Sequence, residues 1–185
     1  KPFGVGELLA RELPPIFTVY RQVQYWFALA DEVADHYRRA AFPIFIWMHG
    51  LGDEDFFYGF PDINGAAGGV KVACEQHRVS TTADSVSRDV TGEETQAMFD
   101  RHVAGRLRGV LPHCLRAITC LYTTTPDRGF VIDRLPAAAQ IWVLSPCSGH
   151  GFKHSAAIGE AVAESIVDGK SRIDLTPFAL SRFLR

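Results

Sequence analysis

A glycine-containing segment, Ser148-Gly149-His150-Gly151-Phe152-Lys153, separates a short apolar run from an amphipathic one. Glycine lets the backbone approach a flat ligand closely, and the first turn of a helix offers unpaired N–H groups to an electron-rich group. Lys153 adds a positive charge at the same place. On spacing alone, an ordinary strand-to-helix turn with a surface lysine remains the stronger explanation, because Gly-x-Gly by itself is a weak signal.

Three potential metal ligands, Cys147, His150 and His154, lie in or next to this segment. Cys147 and His150 are three residues apart and His154 follows four residues later, so their side chains could face one ion. No fourth ligand lies nearby in the sequence. We therefore expect no metal site here.

Two further residues could take part in chemistry if they are buried. Lys71 lies between two valines in an apolar run, where most lysines point to solvent, but a buried amine would have a perturbed pKa. Cys120 precedes a threonine-rich run that ends at Pro126-Asp127. A cysteine in a strand is most often a small core residue, and residue chemistry alone favours that interpretation.

The elements that must position these residues follow from hydrophobic periodicity, capping signals and turn residues. Residues Lys1 to Pro15 are expected to form a short helix or loop. Their successors are predicted to be strands Ile16–Leu29, Pro43–Met48, Phe56–Phe60 and Val70–Cys74, a helix from the capping box Thr91–Glu94 to before Pro112, strands Leu115–Thr125, Phe130–Asp133 and Ile141–Leu144, and a helix Ser155–Asp168. This order indicates an α+β fold and not a regular βαβ repeat.

Composition narrows the class of protein. The 185 residues include 19 Lys and Arg against 21 Asp and Glu, a balance that argues against a nucleic-acid-binding face. The longest apolar runs, such as Phe42 to Met48, have the length of a strand, so no membrane helix is expected. Four cysteines without a CxxC pair, and the absence of a signal peptide, favour a reducing, cytoplasmic setting. A start at Lys1 suggests a processed or truncated product.

Several segments together are more specific than any one of them. In order, they are Arg21-Gln22-Val23, Trp26-Phe27, Tyr58-Gly59-Phe60-Pro61, Val70-Lys71-Val72, Cys120-Leu121-Tyr122-Thr123, Thr125-Pro126-Asp127, Phe130-Val131-Ile132-Asp133, Ser148–Lys153, Asp174-Leu175-Thr176-Pro177-Phe178 and Ser181-Arg182-Phe183. With these motifs the chain resembles the monomeric sarcosine oxidase and N-methyltryptophan oxidase family, FAD enzymes of the D-amino-acid-oxidase superfamily. The resemblance implies a mixed-sheet substrate domain with flanking helices in residues 1–116. Residues 117–185 would return, as a strand–loop–helix segment, to the FAD-binding domain.

The resemblance also implies roles for individual residues. Cys120 matches the cysteine that bonds through sulfur to the 8α-methyl carbon of FAD, and Lys71 matches the lysine that assists the reaction of reduced flavin with O2. Lys153 matches a lysine that binds the substrate carboxylate, and Tyr58 and Tyr122 match tyrosines of the substrate cavity. The loop against the flavin corresponds to Ser148, Gly149, His150, Gly151, Phe152 and Lys153.

The sequence departs from the family pattern in two ways. The family has a histidine four residues after the lysine that reacts with O2, where this chain has Glu75, and the nearest histidine is His77. The G-x-G-x-x-G motif of the family's N-terminal FAD-binding half is absent, so we expect a fragment of a longer enzyme. That enzyme would oxidise the C–N bond of an N-methyl or secondary amino acid and reduce O2 to hydrogen peroxide. The alternatives are a remnant or subunit without flavin, and a dehydrogenase of the same superfamily.

Overall fold

The computed structural model describes residues 15–65, 68–136 and 138–183. Of the segment Lys1–Pro15, predicted as a short helix or loop, only Pro15 is among them. The described residues form two compact units: the first contains 15–20, Ser80–Asp84 and those from Tyr122 onward, and the second contains those between Arg21 and Val79 and Ser85–Leu121. Within the described residues no helix is both long enough and apolar enough to cross a membrane.

The described chain has an α+β arrangement, as expected: five strands precede the first α-helix, and three more precede the second. The strands are β1 (Thr18–Leu29), β2 (Phe45–Met48), β3 (Phe56–Phe60), β4 (Val70–Ala73), β5 (Ser80–Thr81), β6 (Val110–Thr124), β7 (Val131–Leu135) and β8 (Ala138–Ser145). The α-helices are α1 (Gly92–Met98) and α2 (Ser155–Val167). A π-helical turn covers Phe99–Val103, and 3-10 turns cover Asp31–Tyr37, Phe152–His154, Thr176–Phe178 and Leu180–Phe183.

The second unit is built on an antiparallel sheet with the order β2-β3-β4-β1, and β6 also pairs with β1. One face carries the core, which includes Phe27, Phe57, Val70 and Val72, all at most 1% exposed. On β1 the residues Val19, Val23, Tyr25 and Phe27 are buried, in keeping with the two-residue period of a strand. The opposite face carries the intervening residues, of which Trp26, Tyr58, Phe60 and Lys71 are half-buried, whereas Gln22 and Ala73 are buried.

The first predicted helix begins as expected but ends early. Thr91 accepts a hydrogen bond from the Glu94 backbone N–H, and the Glu94 carboxylate accepts one from the Thr91 N–H, which completes the capping box. The prediction of a helix continuing almost to Pro112 was wrong, because the chain turns after Val103 and β6 begins at Val110. Gly105 and Gly109 have φ values of 72° and 74°, a left-handed conformation that ends a helix.

The first unit contains the hairpin β7–β8, with Val131 paired to Ser145 and Asp133 to Val143. The predicted short buried strand Ile141–Leu144 is longer than expected, and only one of its two faces is buried. Val143 is 4% exposed, whereas Leu144 is 48% exposed. In a two-stranded hairpin that packs on one side, alternate residues must point to solvent.

A solvent-accessible ion pair attaches the C-terminal tail to the turn that precedes β7. Arg182 Nε donates to Asp127 Oδ2 over 2.7 Å, and Arg182 Nη2 donates to the Phe130 carbonyl over 2.6 Å. The Arg182 guanidinium and the Thr125 hydroxyl hold the pKa of Asp127 far below its usual range. Two motifs of the family resemblance, Thr-Pro-Asp and Ser-Arg-Phe, therefore have a structural role in this unit.

The loop between β8 and α2 depends on one close backbone approach. A Cβ atom at Gly151 would lie 1.5 Å from the Pro146 carbonyl oxygen, so no other residue fits without moving the loop. Ser148 and Gly149 precede it with φ values of 49° and 79°. Helix α2 then runs from Ser155 to Val167, within one residue of the prediction.

We predict that Gly151→Ala destabilises the protein by roughly 1–3 kcal/mol, because the added methyl group overpacks the loop. The matched control is Gly159→Ala in the exposed middle of α2, where a Cβ meets nothing within 4 Å. That variant should gain about 0.5–1 kcal/mol from helix propensity. Urea unfolding measures both changes, and equal effects of the two variants would contradict the loop geometry.

A pair of histidines, buried His102 and half-buried His49, belongs to the second unit. His102 is 3% exposed and its Nδ1 lies 3.0 Å from Nε2 of His49. Burial, with the charge of Arg101 as the next cause, lowers the pKa of His102 to about 4. A hydrogen bond between two imidazoles needs one neutral acceptor ring, which agrees with a neutral His102 at neutral pH.

Because the pKa of His102 is lower in the folded than in the unfolded chain, stability should fall as the pH drops below about 6.5. We expect the free energy of unfolding to decrease by about 1–2 kcal/mol between pH 7.5 and pH 5 through this group. Urea titrations at several pH values measure it. His102→Gln should flatten this dependence, whereas His113→Gln on exposed β6 should retain it; an unchanged slope in His102→Gln would contradict the assignment.

Candidate functional site

Lys71 lies on the open face of the second unit's sheet, between two aromatic side chains. Strand pairing sets it opposite Trp26 on β1 and opposite Phe60 on β3. Its ammonium nitrogen is 5.3 Å from the Trp26 ring centroid and 4.8 Å from that of Phe60. Burial lowers the pKa of Lys71, while the charge of the Cys120 thiolate acts to raise it. The faces of the two rings also favour a cation.

Cys120 lies on β6 and interacts with Lys71. Burial raises the pKa of the Cys120 thiol, while the positive charges of Lys71 and Arg88 act to lower it. The side-chain amide nitrogen of Gln24, on β1, lies 4.0 Å from the Cys120 sulfur. The thiol is thus half-buried, close to two cations and one neutral donor.

Tyr58 belongs to the same face. It is opposite Ala73 on β4, which is in turn opposite Gln24 on β1, and directly opposite residues of antiparallel strands project to the same side. Of the predicted site residues, the second unit therefore brings together Tyr58, Lys71 and Cys120.

The first unit holds the remaining predicted site residues. The Ser148 backbone N–H donates to the Thr123 carbonyl over 2.9 Å, and the Ser148 hydroxyl donates to the Gly129 carbonyl over 3.0 Å. The loop is thereby tied to the end of β6, directly after Tyr122. The His150 ring stacks on Phe130 with centroids 4.7 Å apart, which fixes the centre of the loop.

Phe152 and Lys153 lie at the exposed end of this loop. Phe152 is 94% exposed, and Lys153 is exposed in the 3-10 turn that leads into α2. No side chain caps the first turn of α2. The His154 and Ser155 backbone N–H groups donate to the Gly151 and Phe152 carbonyls. The arrangement therefore offers an exposed cation beside the positive end of the α2 dipole, which suits an anionic group.

Two other sequence expectations concern nearby residues. Among the described residues, no cluster of three His, Cys, Asp or Glu side chains could hold a metal ion, and Cys147, His150 and His154 form none. Glu75 takes the place four residues after Lys71, and its carboxylate lies 3.4 Å from the His77 ring.

Sequence reasoning assigned no role to several residues around Lys71 and Cys120. They are Gln24, Trp26, Phe60, Arg88 and Arg116, whose guanidinium carbon lies 5.1 Å from the Trp26 ring centroid. Gln24 and Trp26 alternate with the buried Val23, Tyr25 and Phe27 along β1. The strand register, which the sequence does not reveal, was needed to bring them to Lys71.

The chemistry of this face fits a flavin ring. It combines flat aromatic surfaces at Trp26 and Phe60, a thiol able to form a thioether, and the ammonium of Lys71 between the two rings. No carboxylate of the described residues contributes to the pKa of Lys71, so its charge is available to an electron-rich partner.

Comparison with known sequences also indicates a flavin-dependent protein. Residues 4–165 match the model of the FAD dependent oxidoreductase family. A monomeric sarcosine oxidase of Streptomyces avermitilis is 39% identical over 87% of this chain, which covers 41% of that protein. An N-methyl-L-tryptophan oxidase of Escherichia coli K12 is 37% identical over 77% of this chain and 37% of that protein. The chain thus spans about two-fifths of the length of these relatives.

Solved structures agree on the fold. NikD, an amino acid oxidase of nikkomycin biosynthesis, superposes with a TM-score of 0.67 at 17% identity, over 92% of this chain and 44% of NikD. Amadoriase I of Aspergillus fumigatus, a fructosyl amine:oxygen oxidoreductase, gives a TM-score of 0.62 at 16% identity, over 88% of this chain and 38% of that one. With these matches the resemblance drawn from the motifs is confirmed, and the chain belongs to the FAD-dependent oxidoreductase family.

Proposed function

We propose that this chain supplies the substrate-side part of a flavin-dependent oxidase acting on the C–N bond of N-methyl or other secondary amino acids. The products would be an imine, which hydrolyses to an aldehyde and an amine, and hydrogen peroxide. The observation that carries the proposal is the placement of Lys71 beside Cys120 on one sheet face. The names of the relatives support the substrate class.

FAD, when bound, supplies the two-electron redox chemistry. Lys71 supplies a positive charge held between Trp26 and Phe60. Negative charge develops on O2 as it accepts electrons, and a fixed cation in a half-buried position stabilises that charge more than water does. We assign Lys71 to the reaction with O2 for this reason.

The remaining site residues would hold the cofactor and the substrate. Cys120 would hold FAD covalently, and the loop Ser148, Gly149, His150, Gly151 and Phe152 would contact it. Lys153 would bind the substrate carboxylate, with the first turn of α2 adding favourable backbone dipoles. Tyr58 and Tyr122 would line the substrate cavity.

The proposal includes the division of the chain. Residues 1–116 would belong to the substrate domain and residues 117–185 to the FAD-binding domain, whose N-terminal half would complete the site. Four cysteines without a disulfide among the described residues support a reducing, cytoplasmic location.

Covalent attachment can be tested directly in the flavin-loaded protein. Cys120→Ser should leave no flavin on the polypeptide after acid precipitation, whereas Cys147→Ser, at an exposed cysteine, should leave attachment intact. Peptide mass spectrometry identifies the modified residue. Flavin bound to another side chain, or an active protein without attached flavin, would reject Cys120 as the anchor.

If Lys71 acts in the reaction with O2, its replacement should affect only one of the two half-reactions. Lys71→Met should slow oxidation of reduced flavin by O2 about 100- to 1,000-fold, as expected for loss of a preorganised charge. Reduction of flavin by substrate should change much less. Stopped-flow absorbance measures both rates, with Lys170→Met at an exposed lysine as control. Equal slowing of both half-reactions, or of neither, would remove Lys71 from the oxygen reaction.

A further inference from the structure

Gln24 provides a neutral side-chain donor close to the Cys120 sulfur. Its amide nitrogen lies 4.0 Å from the sulfur, within the range for hydrogen bonds to sulfur. Gln24 is half-buried on β1, two residues before Trp26, and strand pairing sets it opposite Ala73. Its side chain therefore projects from the same sheet face as Lys71.

The surroundings of the sulfur make such a donor consequential. A cysteine reacts as its thiolate, and burial disfavours the thiolate of Cys120. The charged groups that act on it are Lys71 from β4 and Arg88 from the segment before α1. Arg88 is exposed, so water screens its charge, and burial lowers the pKa of Lys71. The two cations together do not offset the effect of burial, and the pKa of the Cys120 thiol stays raised.

We propose that Gln24 is a positioning residue for Cys120: its side-chain N–H donates to the sulfur and favours the thiolate that attaches the flavin. This inference rests on the proposed role of Cys120. Attachment replaces one C–H bond of the flavin 8α-methyl group and the S–H bond with a C–S bond. Two protons go to solvent, and the two electrons pass to O2, the oxidant of the proposed reaction. Gln24 stays neutral and transfers no proton.

The thiol can be examined before flavin is added. Alkylation of Cys120 by iodoacetamide, followed by peptide mass spectrometry across a pH series, reports its thiolate fraction. Cys114 on the same strand is an internal reference, since it is also half-buried but its sulfur contacts the Arg116 carbonyl. Gln24→Met keeps the side-chain length and removes the donor. Gln96→Met, at an exposed glutamine of α1, is the matched control.

Gln24→Met should lower the alkylation rate of Cys120 about three- to tenfold at pH 8, the size expected for one hydrogen bond. The rate at Cys114 should stay constant. The pH profile of Cys120 should shift to higher pH, and covalent incorporation of added FAD should slow by a similar factor. Gln24→Asn should be as slow as Gln24→Met in both alkylation and flavin incorporation. Its side chain is one methylene shorter, so its amide cannot reach the sulfur.

Two results would overturn the inference. An alkylation profile of Cys120 that is unchanged in Gln24→Met would do so, as would parallel losses at Cys114 and Cys120, which indicate a disturbed strand. These results are independent of the anchor assignment. Flavin found on another residue refutes the proposed role of Cys120, whereas normal attachment at Cys120 with an unchanged profile refutes only the role of Gln24.

Discussion

The pairing register of β4 is the constraint on which the candidate site depends. Val70 and Val72 are fully buried on the core face, and Lys71 between them projects to the other side, opposite both Trp26 and Phe60. A slip of one residue would exchange the faces. It would bury an ammonium among Phe27 and Phe57 and expose two valines. The apolar core therefore fixes the position of the lysine, so stability and site geometry depend on the same hydrophobic contacts.

A different kind of constraint shapes the glycine loop of the first unit. Close packing of Gly151 on the Pro146 carbonyl and the left-handed backbone of Ser148 leave few alternatives for the chain. The bonds from Ser148 to Thr123 and Gly129 then join the loop to the segment that follows Tyr122. Arg182 of the C-terminal tail donates to Asp127 in the turn before β7 and so stabilises the same region. Much of what makes the motifs recognisable is this local support and not contact with a ligand.

Sequence reasoning succeeded where local signals were complete. The strand at Phe56–Phe60, the capping box at Thr91 and the helix from Ser155 all followed from periodicity or capping. It failed between Val103 and Val110, where apolar residues at helical spacing are buried in a turn and a strand. Burial there comes from packing on the sheet, which overrides the periodic pattern. Lys71 and Cys120 were proposed from the family resemblance, but Gln24 became visible only through the pairing of strands distant in sequence.

The pair formed by Lys71 and Cys120 has a consequence for the order of events in the proposed enzyme. Before attachment, Cys120 can ionise. Its thiolate then favours the ammonium form of Lys71, and the ammonium favours the thiolate. A thioether has no charge, so attachment would remove this neighbouring anion. The ammonium would then keep only its contacts with Trp26 and Phe60, whose electron-rich faces weakly favour a cation. The Lys71 ammonium can thus first favour the thiolate of Cys120 and later stabilise the negative charge that develops on O2. Neither step requires a rearrangement of the sheet.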